Sequence, residues 1–250
     1  MSGAMHLSGD GQVPTRANAP YVDFSSALLA TVGVLAALMD RQKTGKGQKV
    51  ETALLRTAIN ITNSHLIEQS MLCLNRIATL NRGFTAGPSD TFKCKDGWIY
   101  AMTIGQPLFV RWCRLMGNED LAADSRFKDD LARGDNGEAL SAIMQKWCDG
   151  RTVTEALEAL EANRIPAGAI YTPQQALDDR HVREAGFFHD MDFPGAAKPV
   201  PVLKEPVKLS RTPLTIRRRA PKLGEHTDQI LQELGYEPAV IQKLRADRVV

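Results

Sequence analysis

The chain has 250 residues, 43% of them hydrophobic, enough to bury a core in one large or two smaller domains. A balance of 31 basic against 29 acidic residues leaves +2, too little charge to point to a nucleic-acid partner. Cys73, Cys94, Cys113 and Cys148 lie far apart with no C-x-x-C, and no histidine stands at metal spacing, so four reduced, half-buried thiols and no metal site are expected.

Residues 1 to 20 carry scattered glycine and proline and no apolar period, and they read as a loop. A domain rarely opens on a loop leading straight into a buried helix, so a preceding segment is expected. Met1 to Gly11 has neither the basic start nor the apolar stretch of a signal peptide. Phe24 to Met39 is apolar around nearly its whole circumference, which predicts a buried helix ended by Gly45 and Gly47. The uninterrupted run Ala27 to Met39 is too short to span a bilayer, so a soluble, cytoplasmic protein with no membrane partner is expected.

Thr57 to Leu74 reads as the next helix, and Asn81 to Pro88 as a glycine-containing loop. Asp90 to Thr103 predicts a hairpin turning at Lys95-Asp96-Gly97. Helices follow at about Pro107 to Met116 and Gly137 to Cys148, then from Thr152, which forms a capping box with Glu155, to about Asn163. Ile165 to Tyr171 is strand-like, and Thr172-Pro173 with Gln175 opens another capped helix. Prolines crowd Phe193 to Pro221 and predict an extended segment. Thr227 is expected to cap a helix to Leu234, and Pro238 to start a last one ending near Ala246.

No G-x-S-x-G, P-loop or G-x-G-x-x-G is present, and Thr44-Gly45-Lys46-Gly47 lacks phosphate-loop spacing. Asp23 is by local sequence a preferred helix N-cap, with Ser26 at the third helical position. The cluster Arg41, Lys43, Lys46 and Lys49 reads as a solvated face, with contact to a phosphate as the alternative.

Asp23, GVLAALMDRQKTGKGQKVE, KCKDGWIY, IPAGAIYTPQQALDDRHV and APKLGEHTDQILQELGY, in that order, closely resemble the family III CoA-transferases, or CaiB/BaiF family. The resemblance runs over essentially the whole chain. It implies an α/β fold with a Rossmann-like large domain, incomplete here, and a small α/β domain, in an interlocked homodimer. On that pattern residues 1–75 are the remainder of the large domain, 76–190 the small domain, 191–222 an extended linker and 223–250 helices returning to the large domain.

The resemblance also makes Asp23 the catalytic nucleophile, acting on an acyl-CoA thioester and a carboxylic acid, with no permanently bound cofactor. Arg41, Lys43 and Lys46 are then candidates for coenzyme A, and Gly83 and Gly87 for a substrate loop. Three departures stand out. Ala27 replaces a usual glycine. Gly83-Phe84-Thr85-Ala86-Gly87 replaces the glycine run of oxalate-using members, which argues against formyl or oxalyl substrates. The nucleotide-binding segment expected before Asp23 is not in the sequence. Two alternatives stay open: an α-methylacyl-CoA racemase of the same fold, and a subunit acting only with a separate N-terminal chain.

Overall fold

The structure, a computed structural model, describes residues 1–250 and divides into two compact units, Met1–Ile170 and Tyr171–Val250. In the first unit, helix α1 (Tyr21–Thr44) is followed by α2 (Leu54–Ile61) and α3 (Asn63–Leu72). Strands β1 (Ser89–Lys93) and β2 (Trp98–Met102) form the expected hairpin, with Phe92 opposite Ile99. Helices α4 (Gln106–Leu115), α5 (Asp130–Asp135), α6 (Gly137–Asp149) and α7 (Val153–Ala162) then lead to β3 (Ala167–Ala169), which pairs antiparallel with β2. The sheet order is β1-β2-β3, and residues 1–75 contribute no strand.

The core lies wholly within Phe92–Ile165. Alternation along the hairpin turns Phe92, Cys94, Ile99 and Ala101 inward, while Trp98 and Tyr100 stay on the outer face. Phe109 and Trp112 of α4, Leu140, Met144 and Cys148 of α6, and Ala156 and Leu160 of α7 complete it. Side chains also tie α6 to β1: the Gln145 carboxamide exchanges hydrogen bonds with the Lys93 backbone at 3.0 and 2.9 Å. The four thiols are free. Three of them are fully buried rather than half-buried, and burial pushes Cys113 up to about 11 and Cys148 to about 12, while Cys73 is exposed.

Buried Arg133 of α5 ties that helix to α4 and to the second of two short 3-10 turns, at Glu119–Ala123 and Ser125–Phe127. Its guanidinium donates to the Phe127 carbonyl, the Asp130 carboxylate and the Gln106 carboxamide, and lies 4.1 Å from the Phe109 ring centroid. The capping box of Thr152 and Glu155 starts α7, with both reciprocal bonds made.

The first three helices depart from expectation in two ways. Residues Thr57 to Leu74 are two helices, broken at Thr62 (φ −95°, ψ 8°). The Thr62 hydroxyl lies 3.0 Å from both the Ala58 and the Ser2 carbonyl oxygens and so anchors the N-terminal segment at the break. Helix α1 ends at Gly45 as expected, but it is not buried: Ser26 is its one buried residue.

The reason is which face finds a neighbour. Ser26, Ala30, Gly33 and Ala37, at helical spacing, form its least exposed stripe, and α1 packs against α2. A β-carbon on Gly33 would stand 3.0 Å from a Val50 methyl, so this side suits close approach. Most of the large apolar side chains lie off this stripe and are exposed, although Leu29 lines a cavity with Val50 and with Arg56, Thr57 and Asn60 of α2. With 24 residues and a mean hydropathy of 1.9 in its most apolar window, α1 is also longer than its apolar run implied, and by length and composition it qualifies as a membrane span.

The second unit holds α8 (Pro173–Asp178), α9 (Arg180–Glu184), the antiparallel pair β4 (Phe188–Met191) and β5 (Val200–Leu203), then α10 (Thr227–Glu233) and α11 (Pro238–Ala246). Thr172 and Gln175 cap α8 reciprocally, as their spacing predicts. The proline-rich segment contains β5 and no helix, with a turn at Pro194-Gly195 and several bends. His226, not Thr227, is the N-cap of α10, and it makes no side-chain capping bond.

Candidate active site

Asp23 occupies the third position of α1, not the N-cap, which is Pro20. Proline has no side-chain acceptor with which to cap the helix, and the turn is closed by backbone bonds from the Tyr21 amide to the Ala19 carbonyl (2.9 Å) and from the Phe24 amide to the Pro20 carbonyl (3.2 Å). Two consequences follow for the acid. The Val22 and Asp23 amides find no protein acceptor, so they remain free N–H donors at the positive end of a 24-residue helix. The Asp23 carboxylate itself is exposed, with no hydrogen bond and no ion pair.

Asp23 lines a cavity of about 480 Å³ whose whole wall comes from residues 1 to 23. His6 and Arg16 share the wall with it. Neither residue was singled out from the sequence: both lie in an aperiodic loop, and only the fold of that loop brings them to the acid. His6 also lines a second cavity, of about 390 Å³, with His65, Glu68 and Arg76. There Arg76 grips Glu68 through two hydrogen bonds of 2.6 and 2.8 Å, and this pairing holds the Glu68 carboxyl below its ordinary range.

The other site candidates lie apart from Asp23. Arg41 and Lys43 in the last turn of α1 and Lys46 just beyond it are exposed and free of ion pairs, with Arg41 about 27 Å along the helix axis from Asp23. Gly83 and Gly87 do not line the Asp23 cavity. The Gly83 amide donates to the Ser89 carbonyl at 2.7 Å. Gly87 is packed so closely that a β-carbon would stand 2.7 Å from the Arg133 carbonyl oxygen. Between them, Phe84 meets the His65 ring edge-on at 5.8 Å and the Arg76 guanidinium at 5.3 Å, so this loop borders the second cavity.

A model of CoA-transferase family III matches residues 1–227. Among similar proteins, the succinyl-CoA–L-malate CoA-transferase beta subunit of Chloroflexus aurantiacus is 30% identical over 256 residues, covering all of this chain and 63% of that one. The succinyl-CoA:mesaconate CoA-transferase of Haloarcula hispanica is 29% identical over 239 residues, covering 94% and 59%. A crystal structure of a CAIB/BAIF family protein from Brucella suis superposes with a TM-score of 0.71 at 27% identity, over 93% of this chain and 60% of that one. The chain thus spans roughly three-fifths of the length of the relatives it matches.

Proposed function

We propose, for a chain that belongs to CoA-transferase family III, that Asp23 is the nucleophile of a transfer of coenzyme A between an acyl-CoA thioester and a free carboxylic acid. One observation carries the reading: an unpaired carboxylate in the first turn of a long helix, beside two free amides, on a residue that lines a cavity. An ion-paired carboxylate is a poor nucleophile, and this one has no partner to leave.

The steps balance as follows. The Asp23 carboxylate attacks the thioester carbonyl, forming a C–O bond and breaking the C–S bond, to give a mixed anhydride and coenzyme A thiolate. The thiolate attacks the Asp23 carbonyl, which yields an aspartyl-CoA thioester and frees the donor acid. The acceptor carboxylate then displaces the thiolate as a new anhydride, and the thiolate attacks the acceptor carbonyl to regenerate Asp23. Each step builds negative charge on a carbonyl oxygen, which the Val22 and Asp23 amides and the helix dipole favour. Arg16 supplies a cation at the same cavity for the incoming carboxylate.

Arg41, Lys43 and Lys46 fit the phosphate end of coenzyme A, remote from the thioester. Gly83 and Gly87 are assigned to a substrate loop that borders the second cavity, where Phe84 meets His65 and Arg76. Relatives at 28–30% identity are named for succinyl-CoA with mesaconate or L-malate and for formyl-CoA with oxalate, which supports a short acyl-CoA donor and a dicarboxylic acid acceptor. The working molecule is proposed to be cytoplasmic and homodimeric. A relative named as a beta subunit supports the alternative of a separate partner chain.

A second reading rests on His6. A histidine and a carboxylate lining one cavity form an acid–base pair suited to exchanging the α-proton of an acyl-CoA, as in a racemase. One assay separates the readings. Succinyl-CoA with a second dicarboxylic acid in deuterated water should move coenzyme A to that acid. Exchange of the α-proton without transfer supports the second reading instead. Asp23→Asn should abolish transfer with an unchanged far-UV circular dichroism spectrum, and a mutant retaining full turnover refutes the nucleophile.

A further inference from the structure

Three arginines, with no acid among them, meet at a small cavity in the first unit. Arg111 and Arg114 of α4 and Ala162, Asn163 and Arg164 at the end of α7 enclose about 200 Å³. Arg111 and Arg164 make no ion pair, and Arg114 has only a loose one, 3.8 Å from the exposed Glu119. Cations gathered without compensation repel each other and favour an anion between them.

One detail makes the cluster more than a solvated surface. The Nε of Arg111 is the one buried side-chain polar atom in the structure that lacks a partner, although its Nη2 reaches the Arg164 carbonyl at 3.4 Å. A desolvated guanidinium donor is costly to leave unmade. Arg164 itself has φ +55°, in the left-handed region where a side chain is crowded and glycine is favoured. The turn closing α7, with the Arg164 amide on the Glu161 carbonyl at 2.8 Å and Ile165 on Leu160 at 2.9 Å, needs that conformation. It does not need an arginine, although Arg248 closes α11 with the same φ of +55° and the same pair of backbone bonds.

Helix dipoles account for part of the pattern, since cations suit the last turns of α4 and α7. They do not explain the orphaned Nε of Arg111. We infer that this cavity is an anion site that takes a phosphate group, either as free phosphate or as the phosphoryl end of a larger metabolite. Guanidinium forks match the oxygens of phosphate, and three cations suit its double charge better than a single carboxylate. A wider adjoining cavity of about 690 Å³ shares Arg164 and is lined further by Leu157, Ile165, Pro166, Ala167 and one acid, Glu161, with room for an organic remainder.

The test is calorimetric titration of the full chain with inorganic phosphate, ionic strength held constant with chloride, repeated with phenyl phosphate. Saturable binding is expected, with a rise in Tm of about 2–4 °C near saturation. Tighter binding of phenyl phosphate assigns the site to a phosphorylated metabolite, and equal binding assigns it to free phosphate. Arg164→Gly should lose about tenfold or more in affinity while unfolding at no lower temperature, because glycine accepts φ +55° without strain. Arg114→Gln, at an exposed position, should weaken binding with no effect on folding. No saturable binding beyond the chloride control, or full affinity in Arg164→Gly, overturns the inference. Neither variant touches Asp23, so the outcome is independent of the transferase assay.

Discussion

At the scale of single residues, what decides a side chain's chemistry is whether it already has a partner. Asp23 has none, and the sequence revealed its place only through the ordered motifs that follow it. As a lone acid before an apolar run it reads as a cap, yet Pro20 takes that position and leaves Asp23 in the first turn. Glu225 is the opposite case. Arg219 donates to it at 2.8 and 2.5 Å and the Lys222 amide at 2.6 Å, and these bonds hold its carboxyl down to about 2. Unfolded, the same group would titrate near ~4.3. The folded value is depressed, so the pair's contribution to stability is complete above the unfolded value and disappears as pH falls from there through about 2. Arg219→Ala should therefore raise the Glu225 midpoint, followed by carbon NMR of its carboxyl, most of the way toward ~4.3. A midpoint that stays put would assign the depression to the backbone donor instead.

At the scale of elements, legibility followed the range of the interaction that forms each one. The hairpin turning at Gly97 and helices α7, α8 and α11 are written in contiguous residues, and they lie where their turn, cap and proline signals put them. The break between α2 and α3 was not legible, because it depends on Thr62 meeting Ser2, sixty positions away in sequence. Strand β4 was missed for a related reason: its partner β5 lies inside a proline-rich stretch that gives no alternating pattern. Local caps should also be separable energetically. Thr152→Ala removes the side chain that accepts from the Glu155 amide, and it should cost about 1 kcal/mol in urea unfolding followed in the first unit. Glu155→Gln, which keeps a side-chain acceptor for the Thr152 amide, should cost less. If the two variants are equally destabilised, the charge on Glu155 matters as much as the hydroxyl.

At the scale of the whole molecule, the unresolved element of the sequence reading is α1, whose apolar content was legible and whose environment was not. Burial is a property of what packs on a helix, and α2 covers only its small-residue side. Phe24, Leu28, Val32, Leu35 and Met39 form a continuous stripe, each between 55 and 67% exposed. A bilayer is a poor occupant for that stripe. The uncharged length between Asp23 and Asp40 is about 24 Å, short of the ~30 Å hydrocarbon core, and Asp23 would sit at its edge. Protein surface suits it better, since covering each large side chain is worth about 1.5–3 kcal/mol, and contiguous apolar patches of this kind drive association. The 250-residue chain in solution should therefore self-associate, as read by sedimentation velocity. Replacing Leu28, Val32 and Leu35 together with glutamine should shift it to monomer while changing its unfolding free energy by less than about 1 kcal/mol, because none of the three contributes to the core within Phe92–Ile165. A triple variant that associates as strongly as the parent would place the contact elsewhere. A variant that unfolds would show that α1 is packed within the chain after all.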